Sequence, residues 1–387
     1  MARPVTADHI LFDECINAFR ESSQHIPCYE SGPSRSYLLT DFNLPNLWEF
    51  PHCTVHPSTR ALLAGANSAF ISAVDNPSWG DRYNAHLYGI ALSAVVTFAT
   101  GRLCKSTRDS YLCVSEHPSE NVISELSLLH PVLISGPGNT NSRLSEVALN
   151  KHRNETAALI SKLYSVPHDK YIVLMQAIRL VHLSKINKRD DFGLAYLLVV
   201  SAIESIAQHA IPRKKVAIKH PNEESWSKLA PHDESFSELL KAYKEARGQN
   251  GYLKERYISF IKTFAPASIW EQIVPNPGQE MVDYLSETTN HTNLNQFTQR
   301  QWREKYPSDL NDSEITAMLS ESYTHRSFFI HRGEQPPHQS PTSMNRFFQE
   351  EINFGAWPRT GRLLPNYELL IAIARHSILG WMESIKP

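Results

Sequence analysis

The chain has 387 residues, 41% hydrophobic and 20% charged, a balance that suits a folded globular core and excludes a disordered or fibrous polypeptide. Its 38 basic and 40 acidic side chains nearly cancel, so the whole molecule has no field that gathers nucleic acid, and any such contact has to be local. No uninterrupted apolar run of 18 residues points to a bilayer span, and the opening MARPVTADHILFDE carries Asp and Glu where a secretory leader would be apolar. A cytoplasmic protein with no membrane partner is expected, and five cysteines, an odd number in a chain this long, are expected to be reduced thiols.

The sequence changes character near residue 140. Residues 1–140 read as a smaller mixed α/β region. Its lead, NLPNLWEFPHCTVHP, is rich in proline, cysteine and aromatics, and an apolar helix follows over residues 84–103. The run SELSLLHPVLISGPGNTNS is expected to be a strand or extended segment closed by turn residues. His52, Cys53 and His56 have ligand-like spacing, yet no second cluster completes a tetrahedron, so no metal site is expected. The glycines of SGPGNTNS lack the lysine of a phosphate-cradling loop, and no nucleotide cofactor is expected.

Residues 141–387 read as mainly α. LSEVALNKHRNETAALISKLYS runs to the helix-stopping pair Val166-Pro167, and DKYIVLMQAIRLVHLSKI follows with Asp169 as its expected N-cap. FGLAYLLVVSAIESIAQHA is apolar on nearly every face and belongs at the centre of a bundle. Next comes the basic run RKKVAIKH, Arg213 to His220, which reads either as a solvated helix end or as a phosphate contact. The stretch 211–250 is polar, with one amphipathic helix around SFSELLKAYKEA. ERYISFIKTF then resumes helical spacing, and PASIWEQIVPNPGQEMVDYL is turn-rich. A late helix starts at Asn311 with Glu314 completing a capping box, carries THRSFFIHRGE, and stops at Gly333 before Pro336 and Pro337. NYELLIAIARHSILGWMESI, residues 366–385, closes the chain; His182 and His376 lie in apolar helical surroundings and are expected in a core or an interface.

The chemistry concentrates in THRSFFIHRGE. Arg326 offers a fork that can hold a phosphate, and His331 can move a proton near neutral pH. Ser327 follows the arginine directly. Glu204 interrupts the apolar helix YLLVVSAIESIA; it either lies inside and orients Arg326 or His331, forms a structural salt bridge, or sits on a polar strip with Ser201, Ser205 and Gln208. Phe328 and Phe329 read as core or interface anchors.

An apolar central helix ending in AIESIA, a later helix bearing Arg326-x4-His331 followed by Gly333, and an amphipathic terminal helix together resemble the HEPN superfamily, and within it the Apea-like group, over residues 145–387. The resemblance implies a HEPN-like multi-helix bundle, a homodimer, and a metal-independent endoribonuclease in which Arg326 and His331 of two protomers form one catalytic site. Ser327 stands where family members usually place Asn, Asp or His, a weaker hydrogen-bonding substitute. Gly333 occupies the position where a related group carries a nucleotidylated tyrosine, so that form of control is not expected. The family also implies a toxin or antiviral effector, with residues 1–140 as a sensor answering a regulatory protein or trigger ligand. A noncatalytic HEPN scaffold within a larger complex is the alternative.

Metal-free RNA cleavage needs a base for the 2′-hydroxyl, an acid for the leaving oxygen and cations for the phosphate. Residues five apart on a helix point about 140° from one another, so Arg326 and His331 of one chain do not readily converge. A two-fold arrangement brings two of each into one cleft. Glu204 is expected to position them.

Overall fold

The computed structural model describes residues 11–21, 34–63, 66–79, 84–108, 120–130, 132, 144–217, 220–249, 251–274, 276, 279–288, 305–333, 346–351 and 362–385. It is mostly helical, with an antiparallel sheet near the N-terminus and many helices after it. SGPGNTNS, Pro336, Pro337, Cys28 and Cys113 lie outside the described residues.

After helix α1 (Phe12–Phe19), strands β1 (Arg35–Thr40), β2 (Trp48–Phe50), β3 (Cys53–Val55), β4 (Thr59–Leu63) and β5 (Ala66–Asp75) precede helix α2 (Ala85–Thr100) and strand β6 (Cys104–Ser106). The sheet runs β2-β3-β5-β1-β6, with β4 also on β5 and every pair antiparallel. Alternation along β1 sorts its side chains: Tyr37 and Leu39 join Ala61, Ile71 and Leu126 under one face, while Leu38 joins the main core on the other.

The main-core face is covered by α2, whose AHLYGIALSAVVTFAT contains no charged side chain and is buried at every position. Gly89 allows this close approach, since a Cβ there would meet Ser106 Oγ at 2.5 Å and Ser36 Cβ at 2.8 Å. The helix ends at Gly101, whose φ of 71° suits glycine. The buried guanidinium of Arg375 donates to the carbonyls of Phe98 and Ala99, satisfying two of the final acceptors of α2.

The other face packs against α3 (Glu120–Leu129), which corrects the expected strand in SELSLL. Val122, Ile123 and Leu126 fall at i, i+1 and i+4, a helical stripe, and the run of leucines that suggested a strand ends with Leu128 and Leu129 exposed.

The helical region begins with α4 (Glu146–Ser165), capped by Ser145, and α5 (His168–Asn187). Pro167 is the N-cap of α5, so Asp169, two residues later, lies in the first turn rather than at the expected N-cap. Then come α6 (Phe192–Ala210), α7 (Arg213–Val216), α8 (Glu223–Leu229), α9 (Glu234–Gln249), α10 (Leu253–Phe264), α11 (Trp270–Ile273), α12 (Gln279–Thr288) and α13 (Asp312–Arg332). Hairpin β7 (Phe348–Glu351) with β8 (Arg362–Pro365) leads into α14 (Tyr367–Ser384).

Helix α6 is the hub, packed by α5, α10, α13 and α14. Contrary to the first expectation, it is long and apolar enough to cross a membrane by length and composition; here those neighbours cover it as a core helix. One apolar cluster runs from Cys15 and Phe19 through α2 to Met382, so the sheet region and the bundle share a core. Fully burying each large aliphatic or aromatic side chain in it contributes roughly 1.5–3 kcal/mol. Cys15, Cys53 and Cys104 are free thiols inside, and burial pushes Cys15 up to about 12 and Cys53 up to about 11, so neither ionises near neutral pH.

Candidate functional site

Helices α10 and α13 are antiparallel, because Lys262 meets Asp312 at 2.8 Å at one end while Lys254 meets Thr324 at 3.4 Å at the other. The start of α13 is set by Asn311, which accepts from Ser313 and Glu314 amides while Glu314 returns a carboxylate to the Asn311 amide, as the capping box predicts. Its end is set by Gly333 at φ 68°, whose N–H donates to Phe329 O at 3.0 Å. Between Thr324 and Gly333 the helix extends two turns past the start of α10. Arg326 and His331 lie on this overhang.

Arg326 turns inward. Its Nη2 lies 3.1 Å from Oε2 of Glu204, a residue of α6 that is only 4% exposed. Glu204 is therefore not on the polar strip considered for it. Three more groups close the cluster. The Tyr323 phenol donates to the Glu204 carboxylate, and the Arg326 guanidinium sits 5.7 Å from the centre of the Tyr323 ring. Gln208 Nε2 donates to Glu204 Oε1 at 3.4 Å, one helical turn on. Beneath them, Tyr257 and Tyr323 pack at 5.6 Å; since Ser322 Oγ donates to Leu319 O, the Tyr257 hydroxyl is the donor in its 3.0 Å contact with Ser322.

The electrostatics are a contest between desolvation and pairing. Burial raises the Glu204 carboxyl above the ordinary value, while Arg326 and the Tyr323 hydrogen bond pull it back, and burial wins. The Tyr323 phenol is pushed up to about 12 by its own burial and by the Glu204 charge. The Arg326–Glu204 contact is an ion pair without full hydrogen-bond alignment: Arg326 Nε has no acceptor and Glu204 Oε2 no well-directed donor. The Arg326 side chain is 21% exposed, so one edge of the guanidinium still reaches solvent.

His331 stands apart. It is exposed in the last turn of α13, five residues and roughly 7 Å of helix rise beyond Arg326. Within one chain the structure brings Glu204 and Arg326 together and leaves His331 outside that cluster. Ser327 is half-buried beside Arg326. Phe328 and Phe329 are half-buried, Arg332 lies 4.5 Å over the Phe328 ring, and Ile330 is 48% exposed, which gives the overhang an apolar flank next to His331.

The sequence offers Tyr323 and Tyr257 only as positions on apolar helical faces and Gln208 only as part of a polar strip, and it does not single out buried His325, which packs edge-on to Phe328. The available signal was helical spacing: Tyr323 is one turn before Arg326, and Gln208 one turn after Glu204.

Elsewhere the sequence candidates separate. His56 contacts Asp75 at 2.5 Å; burial works against that carboxylate's charge, but His56 and Arg35 hold it low. His52 packs on Trp79 and Tyr164. Cys53 is buried, and among the described residues no His, Cys, Asp or Glu side chains gather as a metal-ligand group. Of the two placements expected for these histidines, core or interface, His182 takes the core, whereas His376 is exposed on the outer strip of amphipathic α14 and so lies outside the core.

Comparisons with protein families, with characterised proteins and with solved structures find no match.

Proposed function

We propose that the protein is a metal-independent HEPN-type endoribonuclease, acting as a homodimer in which Arg326 and His331 of two protomers form one catalytic site. The observation that supports it most is the placement on α13: Arg326 is held from inside by buried Glu204, while His331 is presented at the exposed helix end. One protomer supplies a phosphate-holding cation and one titratable imidazole. Cleavage to a 2′,3′-cyclic phosphate and a 5′-hydroxyl needs both a base and an acid. A second copy of the overhang supplies the second imidazole, and exposed Ile330 with half-buried Phe328 and Phe329 gives the two copies an apolar surface to share.

In this reading one His331 takes the 2′-hydroxyl proton and its mate protonates the leaving oxygen. The two Arg326 side chains stabilise the charge that develops on phosphorus, with Glu204 and Tyr323 fixing their orientation. Ser327, next to Arg326, donates a hydrogen bond to the same phosphate. The biological role that accompanies this reading is a cytoplasmic toxin or antiviral effector whose basal activity is kept low and is raised when a partner or ligand engages the N-terminal region.

One observation favours a second reading. The inner edge of Arg326 is already committed to Glu204, as in a structural salt bridge, and this suits a noncatalytic HEPN scaffold that dimerises or docks in a larger complex. The pH dependence of cleavage separates the two. Paired histidines give a bell-shaped rate that falls with dilution below the dimer dissociation range, whereas a scaffold gives no cleavage at any pH.

A further inference from the structure

The basic run after α6 is placed by the fold at the same end of the bundle as Arg326. From Glu204, which holds Arg326, to Ile211 is seven residues, roughly 10 Å along the helix. Arg256 of α10 locks this end: its Nε donates to Ile211 O at 2.9 Å and its Nη2 donates to Gln208 O. Helix α7 packs on α10, and Lys254, two residues before Arg256 and on another face of α10, donates to Thr324, itself two residues before Arg326. Arg213, Lys214 and Lys215 are exposed, and no described carboxylate pairs with them.

We infer that Arg213, Lys214 and Lys215, continued by Lys254, form a track for the phosphate backbone of single-stranded RNA that leads to Arg326. This rests on the ribonuclease reading and names how that site would hold its substrate. The contact is one of charge rather than base reading, because three flexible cations on one turn present no fixed pattern of donors and acceptors.

Several groups set the local field. Besides the track, Lys170 and Arg256 both act against a proton on His209 at the end of α6, although desolvation is the larger cause there. Arg256 is depressed by its own burial and then by Arg213. Among the described residues the carboxylates that act on these groups include Asp169, which pairs with Lys170 at 2.9 Å, buried Glu204, and Glu255 near Tyr323. Exposure of Arg213, Lys214 and Lys215 fits both sequence readings of RKKVAIKH, solvated end or phosphate contact, and their place at the bundle end that also holds Arg326 is what favours the second.

The test uses the full chain carrying His331→Ala, so that binding is read without turnover. Affinity for a labelled single-stranded RNA of mixed sequence is measured from low to high salt, with and without Arg213→Ala/Lys214→Ala/Lys215→Ala. Lys151→Ala/Lys162→Ala on α4 serves as a charge control. The track variant is expected to bind roughly tenfold more weakly at physiological salt and to lower the slope of log K against log salt by about 2, while the control changes little. Affinity and slope equal to the control would overturn the track. Cleavage by the unmodified chain is scored in parallel. Track-dependent binding without cleavage keeps the track and removes the nuclease; cleavage with track-independent binding does the reverse. Absence of any RNA binding removes both.

Discussion

Arg326 and Glu204 meet at 3.1 Å between α13 and α6, an ion pair that ties the candidate site to the helix on which α5, α10, α13 and α14 all pack. Removing one member of such a pair strands the other. Arg326→Ala should destabilise the protein by about 3 kcal/mol, because a carboxylate is left in an apolar setting. Arg326→Ala/Glu204→Gln should recover at least half of that loss. Urea midpoints of the two single variants and the double variant measure the coupling, and a loss under about 0.5 kcal/mol for Arg326→Ala would mean that the pair is as weak as an exposed one.

Tyr323 serves the same carboxylate from the side. Tyr323→Phe keeps the ring under Arg326 and deletes one hydrogen bond to Glu204. A stability loss of about 1 kcal/mol is expected, together with a lower cleavage rate and little change in RNA affinity. Unchanged turnover would remove Tyr323 as a positioning residue and leave it a packing residue.

Two interior histidines make the fold acid-sensitive. Burial lowers His182 to about 3, with Arg179 adding to the effect; its Nε2 donates to Cys104 O at 2.7 Å and its Nδ1 accepts from Arg179 at 2.8 Å, which leaves no place for a second proton. His152 is likewise lowered to about 3 by burial and by Arg102 and Arg375, and neither of its ring nitrogens has a partner. The unfolded chain takes up protons below about 6.5 while the folded chain does not, so stability is full above that pH and is lost as pH falls toward 3. From pH 7 to pH 5 each histidine should remove roughly 2 kcal/mol. Urea titrations of the unmodified chain and His182→Gln check this: the variant should lose about half as much, and equal losses would contradict the assignment.

Gly89 holds α2 against the sheet. Gly89→Ala drives a methyl into Ser106 and Ser36, and should cost about 1–3 kcal/mol and lower the melting temperature without altering the end of α13. A melting temperature equal to that of the unmodified protein would show that β1 and β6 give way freely.

What the sequence disclosed depended on how local the signal was. The caps at Asn311 and Gly333 and the apolar helices α2, α6 and α14 were readable, since each rests on a few neighbouring residues or one period. The sheet was legible only as a mixed region: its strands are short, and β1 pairs with β5 across some thirty residues of intervening chain. SELSLL misled because a leucine-rich run looks alike in a buried strand and a half-buried helix. At the candidate site, Arg326, His331 and Glu204 stood out as charge or imidazole in unusual company. Tyr323 and Gln208 did not, because their importance comes from contact with a residue far away in the chain. The separation of His331 from the Glu204 cluster follows from the 140° turn between positions five apart.

The central claim is tested most directly by incubating the purified chain with mixed structured and single-stranded RNA in EDTA, alongside His331→Ala, and analysing the product ends. His331 is exposed, so its replacement leaves the fold intact. Cleavage that resists EDTA, yields 2′,3′-cyclic phosphate and 5′-hydroxyl ends and disappears in His331→Ala is the predicted result. Cleavage that His331→Ala retains, or that EDTA abolishes, would contradict the account.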